Sequence, residues 1–278
     1  MVKKMINTSV KGNFKLKKQY AILAIGDIVG TESTDKVCRA LGEIKKEYHI
    51  DLTIANGENA ASGNGLDKST AAVLLRSGID VITSGNHIWQ KREMQEYIDE
   101  NPYILRPANY PDGTPGKGFV IHDSMGTRVL VMNLLGTVYM EPLASPFDAA
   151  EKILRENEGR YDISVLDIHA EATSEKLALA YYFDGRIDVI FGTHTHVQTS
   201  DGRVLPGGTG YITDLGMCGA VDSVLGVKKE CVIKKFRTHM PVRFENPSGE
   251  TELDGAVFVF DMPERKIASV KTLKKRIY

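Results

Sequence analysis

Short apolar runs recur along the chain, and each ends at a turn that contains glycine, asparagine or histidine. Beyond the first run, 20–25, the apolar residues Val37, Leu41 and Ile44 return at the spacing of one helix face. This alternation of strand-like runs and helical periodicity is typical of an α/β sheet protein. The runs that predict strands are 20–25, 52–55, 79–83, 119–122, 128–133, 163–168, 187–191, 210–213, 242–244, 256–260 and 267–270.

Helices are predicted between the early strands, whereas the last quarter of the chain consists of predicted strands joined by long loops. The helical segments are 37–48, 68–76, 90–99, 146–157 and 174–183. Ser145 stands where an N-cap is expected, directly before Pro146. The order of elements indicates an α/β fold in which two sheets pack together between helical layers. We interpret residues 19–278 as a single domain.

Polar side chains suited to binding metal ions follow five of these apolar runs. In open α/β sheets, ligands bind beyond the carboxyl ends of the strands, where the loops converge. Four of the seven histidines lie at such ends, which scattered surface histidines would not be expected to do. The candidate site residues are Asp27, Glu58, Asn59, Asn86, His87, His169, His194 and His196.

Each of these groups, taken alone, also has a purely structural interpretation. Asn56-Gly57 is a common turn pair, and a single histidine such as His169 can close a core strand. His194 and His196 are two residues apart, so in extended chain both point to the same side. The joint occurrence of several such groups at strand ends favours a metal site over separate structural roles.

The ligand types predict two ions of Fe, Mn, Zn or Co. Imidazole, carboxylate and amide oxygen suit these metals, and no cysteine lies near the loops to make a thiolate site. Seven ligands exceed what one tetrahedral zinc needs. Two divalent ions outweigh the two negative charges of Asp27 and Glu58, and this surplus suits a hydroxide and a phosphate oxygen in a phosphoryl displacement. His87, beside the proposed ligand Asn86, is then free to donate a proton to the leaving alkoxide.

Composition and charge exclude several classes of protein. The net charge of -1 and the pI near 6.7 argue against a surface built as a whole to hold nucleic acid or an anionic membrane. The three cysteines are widely spaced, which excludes a disulfide framework. No apolar run approaches a membrane span or a signal peptide, so we expect no membrane association and a cytoplasmic location.

Two lysine-rich segments depart from this balance. Residues 1–18 carry six lysines and no acid, and residues 271–276 are basic too. We interpret both as solvated, loosely ordered segments. The alternative for residues 1–18 is an arm that makes weak contacts with RNA.

Long motifs surround the candidate residues. They are GDIVG at 26–30, NGENAASGNG at 56–65, SGNHIW at 84–89, DIHAEATSEK at 167–176, GTHTHVQTSD at 192–201 and TDLGMCG at 213–219. With these motifs in this order, the chain resembles the calcineurin-like metallophosphoesterase superfamily, and more closely its YmdB-type bacterial phosphodiesterase subfamily. The resemblance covers roughly residues 20–270.

The resemblance implies a four-layer αββα sandwich and a di-iron, or similar di-metal, phosphodiesterase acting on 2′,3′-cyclic or 3′,5′-cyclic nucleotides. In such an enzyme a metal-bridging hydroxide attacks the phosphorus, and His87 would be the proton donor. At the matching positions, the resemblance implies that one ion is bound by Asp27, Asn59 and His196. The other ion would be bound by Asn86, His169 and His194, and Glu58 would bridge the two.

The chain departs from the broad superfamily in three ways, one of which is that no acid follows Asn86-His87. Val29 stands where a histidine is common, and Glu58 replaces the commoner bridging aspartate. All three departures fit the narrower subfamily.

Three other interpretations are open at this point. A relative of the capsule-polymer biosynthesis proteins would share the architecture, although those proteins are usually exported. An RNA-related regulatory protein would retain the metal site for shape. A dinucleotide-binding domain is disfavoured because residues 26–30 lack the GxGxxG spacing. A homo-oligomer is compatible with each of them.

Overall fold

The computed structural model of this chain describes residues 18–278. Thirteen strands and six helices lie within that part of the chain. The strands are β1 (Gln19–Ile25), β2 (Asp27–Ile28), β3 (Leu52–Asn56), β4 (Val81–Thr83), β5 (Phe119–Ser124), β6 (Thr127–Leu135), β7 (Ile163–His169), β8 (Val189–Thr193), β9 (Arg203–Val204), β10 (Gly210–Ile212), β11 (Met217–Ala220), β12 (Thr251–Asp261) and β13 (Lys266–Ile277). The helices are α1 (Thr31–Glu47), α2 (Lys68–Arg76), α3 (Met94–Glu100), α4 (Pro146–Glu156), α5 (Thr173–Tyr182) and α6 (Lys229–Thr238).

The strands form two mixed sheets. The first sheet has the order β2-β11-β12-β1-β3-β4, and β13 pairs with β12. Its neighbouring strands β1, β3 and β4 are parallel. The second sheet has the order β5-β6-β7-β8-β10-β9, in which β6, β7, β8 and β10 are parallel.

Three hydrophobic clusters define the layers. The middle cluster joins one face of each sheet, with Ile22 and Phe258 from the first sheet and Val165 and Phe191 from the second. A second cluster packs α1, α2 and α3 on the outer face of the first sheet. A third packs α4 and α5 on the outer face of the second sheet. The chain is therefore a four-layer αββα sandwich, and the fold predicted from the sequence is confirmed.

Strands buried on both faces explain why the predicted runs are almost continuously apolar. Every residue of β7 and of β8 is buried, as expected for parallel strands covered on both sides. The predicted cap of α4 is confirmed, since Ser145 accepts a hydrogen bond from the backbone N–H of Asp148 at 3.3 Å.

Several predictions are wrong in the described part of the chain, among them the start of helix α1, which begins at Thr31, six residues earlier than expected. Residues 242–244 form no strand, and the preceding segment is the helix α6 instead. The basic run 271–276 is not loosely ordered, because it belongs to β13, which pairs with β12 along its whole length. Helix α3 begins at Met94, four residues later than expected. In α6 and β13 the apolar pattern is weak because much of each element is exposed, so local sequence carries little signal.

The basic arm predicted for residues 1–18 lies outside the described residues, except for Lys18. The backbone carbonyl of Lys18 accepts a hydrogen bond from the N–H of Met262 at 2.8 Å. Across 18–278, no helix has the length and apolar content needed to cross a membrane.

Candidate metal centre

Five strand ends bring the predicted site residues to one place. The parallel strands β1, β3 and β4 end on the same edge of the first sheet, and β7 and β8 end on the same edge of the second. The residues at these ends are Asp27 after β1, Glu58 and Asn59 after β3, Asn86 and His87 after β4, His169 at the end of β7, and His194 and His196 after β8. The structure brings all eight together.

His169 lies at the centre of one half of the site. Its Nε2 is 3.2 Å from Glu58 Oε1, 3.1 Å from Asn86 Oδ1 and 3.0 Å from His194 Nδ1. Ligand atoms of Glu58, His169 and His194 all lie within 4.8 Å of one another. One cation placed among these atoms could contact all of them.

The other half of the site contains Asp27, Asn59 and His196. His196 Nε2 is 3.8 Å from Asp27 Oδ1 and 3.4 Å from Asn59 Nδ2. Asn59 Nδ2 donates to Glu58 Oε1 at 2.9 Å, so Glu58 touches both halves. If Asn59 binds a metal ion beside His196, it would do so through Oδ1. A half-turn of the side-chain amide would bring Oδ1 there, because it exchanges the positions of Nδ2 and Oδ1 without moving the backbone.

In His194 and His196, the ring nitrogen that points away from the site makes a hydrogen bond. This bond determines which nitrogen keeps a lone pair for a metal ion. His196 Nδ1 is 3.1 Å from Leu225 O, and a carbonyl only accepts, so Nδ1 carries the proton and Nε2 keeps a lone pair. His194 Nε2 is 3.1 Å from Glu171 Oε2, which leaves Nδ1 free in the same way. Such partners are usual behind metal-binding histidines.

The orientation of His169 is set through a hydroxyl. Thr193 Oγ1 donates to Asp167 Oδ1 at 2.8 Å and therefore accepts from His169 Nδ1 at 2.9 Å. Asn56 Nδ2 also donates to Asp167, at 3.2 Å. His169 consequently directs its Nε2 toward the cluster, as His194 directs Nδ1 and His196 directs Nε2.

The two buried carboxylates of this site favour the binding of a cation. Asp27 is completely buried, and its Oδ1 has no hydrogen-bond partner among the described residues. Burial raises the pKa of Asp27. Burial also opposes ionisation of Glu58, but the charges and hydrogen bonds of His169 and His87 hold its pKa well below the usual range.

The imidazole of His169 responds to the same two carboxylates. Burial lowers its pKa, yet Glu58 and Asp27 outweigh burial and raise the pKa of His169 to about 9. For His194, burial and the repulsion of His169 lower the pKa to about 3. The two buried carboxylates stabilise the protonated form of His169, and the same negative charge is suited to bind a metal cation. The oxygen and imidazole ligand atoms fit divalent metal ions such as Fe, Mn or Zn.

His87 lies against this cluster through one ring nitrogen. Its Nδ1 is 2.8 Å from Asn59 Oδ1 and 3.3 Å from Glu58 Oε1, while its backbone N–H donates to Glu58 Oε2 at 3.0 Å. The hydrogen bond to Glu58 raises the pKa of His87, although burial opposes this. Because Nδ1 is engaged, Nε2 is the atom left for proton transfer to a substrate.

Four supporting residues were not predicted from the sequence: Asp167, Glu171, Thr193 and Leu225. Asp167 and Glu171 stand two positions before and after His169, and Thr193 precedes the HxH pair. The period of two along a strand could have indicated Asp167. Leu225 contributes only a backbone carbonyl, which no residue pattern reveals.

Comparisons with known proteins identify relatives of nearly the whole described region. The family model described as YmdB-like protein matches residues 23–273. The 2′,3′-cyclic-nucleotide 2′-phosphodiesterase of Bacillus subtilis (strain 168) is 46% identical over 252 residues, which are 91% of this chain and 96% of that protein.

Two solved structures are also similar. A hypothetical protein from Thermus thermophilus superposes with a TM-score of 0.86 at 37% identity, covering 93% of this chain and 100% of the other. A novel phosphatase from Mycoplasma pneumoniae superposes with a TM-score of 0.87 at 31% identity, covering 94% of this chain and 95% of the other.

Proposed function

The chain belongs to the YmdB-like protein family, and from this membership we propose that it is a metal-dependent phosphodiesterase that hydrolyses 2′,3′-cyclic nucleotides. The observation that carries the proposal is the convergence of seven side chains with oxygen or nitrogen ligand atoms from five strand ends, the buried carboxylates of Asp27 and Glu58 among them. The substrate class rests on the activity named for the Bacillus subtilis relative.

Two metal ions are proposed for this site, with Fe first and Mn or Zn as the alternatives. Asp27, Asn59 and His196 would hold one ion, Asn86, His169 and His194 would hold the other, and Glu58 would serve both. The contact of Glu58 with both halves of the site supports this division. When bound, the pair of ions would supply positive charge that binds phosphate oxygens and lowers the pKa of a water molecule.

The chain's own residues would supply orientation and proton transfer. Hydrolysis forms one bond between a water oxygen and phosphorus and breaks one bond between phosphorus and a ribose oxygen, which needs a proton. His87 Nε2 is proposed to deliver that proton, since Glu58 Oε1 lies 3.3 Å from Nδ1 and Glu58 Oε2 accepts the backbone N–H of His87, which together aim the ring. The contacts of Asp167, Thr193 and Leu225 would hold the histidine ligands in fixed orientations before substrate arrives.

Hydrolysis assays on the purified full-length chain test the proposal. The panel consists of 2′,3′-cyclic AMP, 3′,5′-cyclic AMP and bis(p-nitrophenyl) phosphate, with the bound metals measured by elemental analysis in the same preparation. We expect turnover of 2′,3′-cyclic AMP that a chelator abolishes and that added Fe²⁺ or Mn²⁺ restores. A preparation with two metal ions per chain and no hydrolysis of any of the three phosphodiesters would overturn the proposal.

A further inference from the structure

A buried ion pair lies directly behind the loop that carries His194 and His196. Lys176 on α5 and Asp214 after β10 are both fully buried, and Lys176 Nζ is 2.7 Å from Asp214 Oδ2. Lysine is almost never fully buried without a partner, and removing two charges from water is costly. Within residues 18–278, neither side chain bonds to the side chain of a proposed metal ligand, so the pair needs another explanation.

The pair bonds to the peptide groups on both sides of His194. Lys176 Nζ donates to the carbonyl oxygen of Thr193 at 2.7 Å. Asp214 Oδ2 accepts from the backbone N–H of Thr195 at 3.2 Å and from its hydroxyl at 2.8 Å. The other carboxylate oxygen of Asp214 accepts from Gly216 N–H at 2.8 Å, which anchors Asp214 itself.

A third charged group completes the arrangement. Asp27 Oδ2 accepts the backbone N–H of His194 at 3.0 Å. The peptide before His194 is therefore held at its carbonyl by Lys176 and at its N–H by Asp27, and the peptide after His194 is held at its N–H by Asp214. With both flanking peptide planes held, the backbone dihedrals of His194 are fixed.

The backbone of this loop needs such support. His194 has φ of 101° and His196 has φ of 62°. Residues with a β-carbon rarely adopt positive φ, and they keep it only where the surroundings over-determine it. Lys176 also packs close to Gly192, where a β-carbon would collide with its side chain. The strained loop and the ion pair are therefore parts of one packed unit.

We propose that the Lys176–Asp214 ion pair is a positioning device that sets the backbone of His194 so that its Nδ1 faces the metal site. The inference rests on the proposed metal role of His194. Because the pair is neutral as a whole, it holds the loop with charge-assisted hydrogen bonds without adding net charge beside the cations. Loss of either partner would remove one of the bonds that hold these peptide planes and would let the imidazole turn away from Asn86 and His169.

Co²⁺ titration of the metal-free full-length chain, followed by visible absorption and by calorimetry, tests this inference. We expect Lys176→Met to weaken binding of one of the two Co²⁺ equivalents by roughly 10- to 100-fold, as for the loss of a partner behind a metal ligand. The absorption band of that equivalent should also change, because one imidazole is lost or displaced. Asp214→Asn keeps the volume of the side chain and should show a smaller shift of the same kind, which keeps the test available if Lys176→Met does not fold.

A matched control is Asp188→Asn at the opposite end of β8. Asp188 accepts from the backbone N–H of Ser164 at 2.7 Å and from its hydroxyl at 2.8 Å, so its replacement also removes a carboxylate that holds a backbone group. It should lower the thermal midpoint and leave Co²⁺ affinity and spectrum unchanged. If Lys176→Met and Asp214→Asn behave like Asp188→Asn, the pair has only a general stabilising role and the inference fails.

A second control separates this inference from the proposed function. His194→Ala removes the ligand itself and should reduce binding of the same Co²⁺ equivalent. If His194→Ala binds Co²⁺ like the unaltered chain, the ligand assignment is wrong, whatever Lys176 does. If His194→Ala loses one equivalent while both pair variants bind normally, the metal site stands and the positioning role is refuted.

Discussion

The carboxylate oxygen Oδ2 of Asp27 accepts the backbone N–H of His194 at 3.0 Å, although the two residues are 167 positions apart. Asp27 follows a strand of the first sheet and His194 follows a strand of the second. The bond therefore joins the two sheets at the edge where the site residues meet. Oδ2 of Asp27 thus positions the backbone of His194, while the buried Oδ1 has no hydrogen-bond partner among the described residues.

Glu58→Ala is expected to leave fewer than two metal ions per chain. Glu58 Oε1 lies 3.2 Å from His169 Nε2 and accepts from Asn59 Nδ2, so its removal affects both halves of the site. Elemental analysis of protein purified with added Mn²⁺ measures the effect. Glu151→Gln is the control, because Glu151 pairs with Arg186 on the surface. Two ions per chain in Glu58→Ala would contradict a shared ligand.

His87→Ala is expected to retain metal and to lose turnover by roughly 100- to 10,000-fold on substrates with poor leaving groups. The loss should be much smaller for a nitrophenyl leaving group, which departs without a proton. His122→Ala is a suitable control, since His122 lies on β5 and packs against Tyr103. Equal losses on both kinds of substrate would argue against proton donation.

Gly85→Ala is expected to disrupt the site through its shape alone. A β-carbon at Gly85 would collide with the His169 imidazole and the Glu58 carboxylate, which leave no room for a methyl group. We expect metal content to fall and activity to be lost. In Gly42→Ala, by contrast, the methyl group meets nothing within 4 Å, so this helix variant should gain about 0.5–1 kcal/mol in stability. Normal metal content in Gly85→Ala would show that the site is more deformable than its packing indicates.

Asp162 should stabilise the folded chain near neutral pH, and this stabilisation should be lost as the pH falls. Hydrogen bonds from Arg128 lower the pKa of Asp162 from 3.8 to about 2. A carboxyl group whose folded pKa is depressed stabilises the fold above its unfolded pKa, and this contribution is lost as the pH falls toward the folded value.

Asp162→Asn should therefore cost about 1–2 kcal/mol near pH 7, after allowance for solvent screening of the partly exposed arginine. The cost should decline between about pH 4 and pH 2. Urea unfolding of the metal-free chain at a series of pH values measures the difference. A cost that stayed constant down to about pH 2 would show that the ionised carboxylate contributes nothing beyond the neutral group.

Much of the first half of the fold could be predicted from local pattern. The predicted helix 68–76 has the bounds that the structure gives to α2, and the strands that end before the site residues lie within two residues of the predicted positions. These strands are buried on both faces, so their apolar runs are long and their ends are marked by polar turn residues. The exposed elements α6 and β13 lack that contrast. Helix α6 was therefore not predicted, and the basic part of β13 was wrongly predicted to be loosely ordered.

The sequence by itself determined which donors the chain offers and that each follows a strand. It could not determine that Asp27 Oδ2 would bond to His194, or that Lys176 and Asp214 would pair beneath the same loop, because these contacts join segments far apart in the chain. Only the packing of the two sheets decided which nitrogen of each histidine is free. That choice depends on acceptors such as Leu225 O and Thr193 Oγ1, whose positions come from tertiary structure rather than from residue type.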